Sequence, residues 1–178
     1  DLAPELGGAR GTRVMVEALL GRAGALFARG QLEPAQADLD RALELMRGAA
    51  RPIEPEREAG VLRRLGEVMA TRGDYPGGIE RIEQAYRLAA AARSRGGAGG
   101  GAGALLEEQA RAAITLVFQH FQRSDFALAL GWGRRARRAV QRLDRQDLLG
   151  YLLNNLGLVY WATGRLAEAA RAFSRRLA

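Results

Sequence analysis

The chain has 178 residues, enough for one domain or one short repeat array with a sizeable core. All 27 basic residues are arginine, against 20 acidic ones, and the net charge of +7 favours acidic partners or nucleic acid without specifying a fold. There is no cysteine, so a disulfide framework, a thiolate nucleophile and a Cys-ligated metal are all excluded. No apolar run approaches the roughly 18 residues of a membrane span, and no basic-then-apolar leader opens the chain. The abundance of Ala, Gly and Arg is the mark of a GC-rich coding sequence.

Residues 1–12, with Pro4, Gly7, Gly8 and Gly11, read as a lead-in segment, and 13–178 as a helical region. Thr12 stands where it would cap a helix over 13–28, which Gly21 and Gly24 weaken. A second helix starts at Glu33-Pro34, where proline's missing donor would be unpaired anyway, and runs to Arg47. The segment Arg51-Pro52-Ile53-Glu54-Pro55 breaks the pattern. The next pair covers 56–72 and 75–93, with Asp74-Tyr75-Pro76 as a cap followed by proline. The Gly-rich segment 95–103 reads as a flexible loop. Its Gly97-x-Gly99-x-x-Ala102 lacks the preceding strand and following acid of a dinucleotide site. A third pair covers 104–123 and 126–142, with Ser124-Asp125 as the cap. Its first helix is apolar nearly all round, so it is buried or carries a binding surface. The last pair covers 146–163 and 166–177. No further helix covers its final apolar stripe, which reads as truncation or self-association. Starting at Asp1 and stopping within a helix, the chain reads as a fragment of a longer protein.

The last pair carries a spaced motif: Leu156, Gly157, Tyr160, Gly164, Leu166, Ala169 and Phe173. It resembles one tetratricopeptide repeat, a pair of antiparallel helices with small residues where the axes approach. The pattern recurs at Leu62, Leu65, Gly66, Met69, Gly73, Tyr75, Gly78, Ile82 and Ala85, with Gly78 where Ala is usual. It recurs again at Leu19, Ala23, Leu26, Gly30, Leu32, Ala35, Leu39 and Ala42. A weaker copy, Leu116, Val117, His120, Ser124, Phe126, Ala129 and Ala136, has Gly133 in place of an aromatic. The turn residues Gly30, Gly73, Ser124 and Gly164 are spaced by 43, 51 and 40, longer than the family's minimal repeat of about 34. The resemblance implies an all-α fold: a right-handed superhelical solenoid of about four antiparallel helix pairs. The repeats fall at about 13–50, 56–94, 104–143 and 146–178. It also implies a cytoplasmic protein–protein interaction module in a larger bacterial signalling or regulatory protein.

Nothing in the sequence assembles a catalytic, metal or cofactor site. His120 is the only histidine and falls where the repeat has a packed residue. Ser94, Ser124 and Ser174 lie at helix ends or in loops, with no base in a recognisable pattern. The resemblance implies instead that the first helix of each pair lines a concave groove. Matching the copies gives Leu20, Phe27, Arg63, Arg64 and Glu67, then Phe118, Phe121 and Gln122, then Tyr151, Asn154, Asn155, Leu158 and Trp161. Asn155 falls where the family often places an Asn that bonds a ligand's backbone. Such a groove takes an extended or helical protein segment, acidic by the chain's charge. Two alternatives stand beside it. Arg134, Arg135, Arg138 and Arg142 form a basic surface for nucleic acid or an acidic protein, with Trp132 as a stacking platform. The array is otherwise a spacer or dimerisation arm.

Overall fold

The structure, a computed structural model, describes residues 9–48, 54–95 and 101–176. Among them are eight helices: α1 Ala9–Ala28, α2 Leu32–Arg47, α3 Pro55–Thr71, α4 Tyr75–Arg95, α5 Ala102–Gln122, α6 Phe126–Leu143, α7 Gln146–Ala162 and α8 Leu166–Arg176. No strand interrupts them among the described residues. The helices gather into two compact units, one ending at Ala85 and one beginning at Tyr86, so the division falls inside α4. The lead-in up to residue 8, the segment 49–53, most of the Gly-rich stretch and Leu177 lie outside the described residues.

One turn, used four times, makes the pairs. After α1, α3, α5 and α7 the chain takes three residues, and the middle one is left-handed: Gly30 at φ 73°, Gly73 at 102°, Ser124 at 62° and Gly164 at 74°. That geometry lets two amides reach back to the carbonyls left over by the helix end. The N–H groups of Gln31, Asp74, Asp125 and Arg165 bond the carbonyls of Leu26, Met69, His120 and Tyr160 at 2.8–3.0 Å. The left-handed residues themselves donate to Phe27, Ala70, Phe121 and Trp161. Each turn reverses the chain, so the helix that follows lies antiparallel on the one before.

Helix α5 starts at Ala102, inside the expected loop 95–103, and two capping readings also differ from the structure. The first helix begins at Ala9, so Thr12 lies inside it and is no cap. Asp125 sits at the start of α6 without a side-chain capping bond; its carboxylate faces Arg123 Nε at 3.2 Å instead. Asp74 does cap α4, accepting from the Gly77 N–H at 3.0 Å.

Small residues set how closely the helices approach. A Cβ at Gly66 of α3 would lie 2.6 Å from Ile82 Cγ1 and nearer still to the Gly78 carbonyl. One at Gly78 of α4 would lie 2.5 Å from the Gly66 carbonyl and 2.9 Å from the Ala70 amide. The glycine that departs from the repeat pattern is therefore required by backbone-to-backbone contact. In the second unit the Phe173 ring lies on Gly157, and Leu156 of α7 packs on Gly133 of α6. Leu39, Leu62, Leu65 and Ile82 fill the first core, and Leu116, Val117, Leu148, Leu152 and Val159 the second.

Ion pairs tie the helices at their edges. Arg22 of α1 forks onto the buried Asp38 of α2 at 2.5 and 2.6 Å. Arg145, between α6 and α7, donates to Asp147 at 2.8 Å and to Glu107 of α5 at 2.9 Å. Its hydrogen bond is the main reason the Asp147 carboxyl is held down to about 2.

Two stability outcomes follow from the turns and the close approach. Ser124→Gly removes a left-handed residue that carries a Cβ and raises unfolding free energy by about 1 kcal/mol in urea denaturation. Gly66→Ala lowers it by about 1–3 kcal/mol, the usual cost of overpacking. An unchanged midpoint for Gly66→Ala would mean that α3 and α4 are not in backbone contact.

Candidate partner-binding surfaces

In the first unit, Phe27 of α1 and Arg64 and Glu67 of α3 line one cleft of about 120 Å³ over Leu39 and Val68. Three residues of the groove set inferred from the repeats thus meet here, while Arg63 and Leu20 do not line the cleft. Arg63 is buried, and its Nη1 donates to Glu67 at 3.0 Å. It holds a neighbour in place and offers no free face. Leu20 is half-buried.

In the second unit α5 and α7 pack side by side. On α7, Tyr151, Asn154, Asn155, Leu158 and Trp161 are exposed or half-buried and form one stripe at helical spacing. On α5 they include Phe118 and Gln122. Tyr151 is 65% exposed, Trp161 62% and Phe118 36%, well beyond what a packed aromatic needs. Phe118 continues inward: its ring lies 6.3 Å from Phe121, which lies 6.4 Å from Phe126 of α6. Asn155 is half-buried and bonded within the protein. Its Nδ2 donates to the Ile114 carbonyl of α5 at 3.2 Å, and its Oδ1 faces Asn154 Nδ2 at 3.4 Å. Its amide ties α7 to α5, a bond within the protein that the repeat pattern does not indicate. His120 is buried at the end of α5, its Nδ1 3.8 Å from Asp125 Oδ2.

The basic surface also differs from its sequence reading. Arg134, Arg135, Arg138 and Arg142 are exposed on α6, but Trp132 is only 9% exposed. The Arg135 guanidinium covers the ring at 4.5 Å, and Tyr86 meets it edge-on at 5.0 Å. Trp132 therefore anchors α6 and cannot stack a base. Beside it, Arg93 of α4, Gln109 of α5 and Arg135, Arg138 and Arg142 of α6 line a cleft of about 260 Å³. Arg93 Nε and Gln109 Oε1 are buried there without a hydrogen-bond partner among the described residues. Sequence reasoning missed both, since they lie on other helices and belong to no motif. A second cleft of about 300 Å³ joins Arg137 to Arg171 and Arg175 of α8. Among the described residues no helix is long and apolar enough to cross a membrane.

The eight helices and their repeated turns define an all-α helical-repeat fold, and solved structures share it. The chain is similar to BtubC (BKLC) from P. vanneervenii, with a TM-score of 0.75 and 21% identity over 93% of this chain and 62% of that one. It is also similar to the Rap conjugation gene regulator of plasmid pLS20, solved in complex with the Phr* peptide. There the TM-score is 0.73 and the identity 14%, over 89% of this chain and 40% of that one. The chain thus spans about three fifths and two fifths of their lengths. No protein-family model matches the chain, and neither does any curated protein.

Tryptophan fluorescence checks the two aromatic environments. Trp161→Phe leaves Trp132 as the only emitter, and its emission is blue-shifted and resists acrylamide. Quenching as ready as in the unaltered protein would mean that Trp132 is open to solvent.

Proposed function

We propose that the chain is a tetratricopeptide-type interaction module, not an enzyme, and that it binds a segment of a partner protein along α5 and α7. The observation that carries this reading is the exposure of Phe118, Tyr151 and Trp161 on two adjacent helices. Exposed aromatics cost solubility, and they repay it where they enter a partner's pockets at low entropy cost. Leu158 and Asn154 lie between Tyr151 and Trp161 on the α7 stripe, and Gln122 adds a polar edge on α5. In the first unit, Phe27, Arg64 and Glu67 form a smaller contact of the same kind. The Rap regulator, which has a similar fold, was solved with a peptide bound. That supports a peptide ligand here, and the chain's net charge of +7 favours an acidic one through long-range attraction. On this reading the module serves a larger bacterial signalling or regulatory protein in the cytoplasm.

A displayed peptide library selected on the chain tests the reading. Peptides that bind the unaltered chain lose at least about 2 kcal/mol, roughly thirtyfold in Kd, against a Tyr151→Ala, Trp161→Ala double variant. Both side chains are exposed, so folding is unaffected and circular dichroism confirms it. Equal affinity for the double variant, or no enrichment of peptides at all, overturns the assignment.

A further inference from the structure

The positive charge is confined to one part of the chain. Residues 1–85 carry 12 arginines and 14 acidic residues, a net −2. Residues 86–178 carry 15 arginines and six acidic residues, a net +9. The second unit therefore holds all of the excess, on helices other than those bearing the exposed aromatics.

We infer that the face formed by α6, with the adjoining parts of α4 and α8, binds the phosphodiester backbone of nucleic acid without reading its bases. Arg93, Arg135, Arg138 and Arg142 line one cleft, and no carboxylate lines it with them. None of the four forms an ion pair among the described residues. Arginines elsewhere in the same unit do find partners: Arg111 and Arg145 bond Glu107, and Arg165 bonds Glu168. Like charges gathered without counter-charges destabilise a surface unless a ligand supplies the anion. Arg93 Nε is a buried donor without an acceptor, and an incoming oxyanion satisfies it.

The charge also extends beyond one point. Arg137, on the same helix, opens into the second cleft with Arg171 and Arg175 of α8; Glu168 also lines that cleft and is bonded to Arg165. Seven arginines on three helices suit a polymer that carries a charge at every unit better than a single carboxylate or a free phosphate. Bases find no platform on this face. Trp132 is covered by Arg135, and Tyr160 lies under Arg165 at 4.5 Å. Contact is thus to the backbone, which positions without specifying sequence.

Fluorescence anisotropy tests this with three labelled probes: a mixed-sequence oligonucleotide, a homopolymer of the same length, and a glutamate-rich peptide of the same charge. Both oligonucleotides bind alike and more tightly than the peptide, with affinity falling steeply in salt. Arg138→Gln with Arg142→Gln, both exposed, lowers the slope of log K against log salt by about 1.5, since each lost phosphate contact removes about 0.7–0.9. Arg29→Gln with Arg47→Gln takes the same charge from the first unit and leaves the slope unchanged. The Tyr151→Ala, Trp161→Ala variant also keeps oligonucleotide binding, so the two functions fail separately. A peptide that binds as tightly as the oligonucleotides, a strong sequence preference, or an equal loss of slope in the first-unit variant overturns the inference.

Discussion

The fold depends on one backbone requirement, a left-handed residue two positions past the end of every first helix. Without it, the last carbonyls of α1, α3, α5 and α7 would lose the amides that close them, and the following helix would leave at another angle. Three of the four positions hold glycine, which adopts this conformation at no steric cost. The fourth holds Ser124, and its pair is also the one whose helix sequences depart furthest from the others. All four turns have three residues, so the spacing between repeats varies with the helices and the links between pairs, and the longest step, 51, comes from α4 and α5 at 21 residues each.

Once the turns fix the pairing, helix faces acquire separate tasks in the second unit. The first helices, α5 and α7, pack on each other and on their second helices, and the large aromatics Phe118, Tyr151 and Trp161 stand on the faces left open. The second helix α6 buries Ala129, Trp132, Gly133, Ala136, Ala139 and Val140, and turns its arginines outward. Small side chains on its buried face let it sit close to its neighbours, so the arginine stems stand near α4 and α8 rather than alone in solvent.

Much of this was legible in the sequence because the signals are local. A glycine that ends an amphipathic run marks a turn whatever surrounds it, and Gly30, Gly73 and Gly164 each do so. The helix pairs were legible for the same reason. The failures involve contacts between distant segments. Nothing near Gly78 says that the Gly66 carbonyl is 2.5 Å from where its Cβ would be. Asn155 bonds a carbonyl 41 positions earlier, and in one dimension that role looks the same as a bond to a ligand. Trp132 was misread although its spacing from Ala129, Ala136 and Ala139 places it on the buried stripe; the arginines around it obscured the period. The cleft with Arg93 and Gln109 has no sequence signal, since its walls come from three helices.

The basic face consists of arginine alone, and this limits how it can be controlled. A guanidinium, unlike an imidazole, does not change charge near neutral pH, so the face has no histidine-like switch. Nor does it offer an ammonium group for acetylation, the common way of erasing a positive charge on a protein surface. The face is in effect a permanent electrode. Its occupancy follows ionic strength and the supply of anions around it, not a chemical switch on lysine.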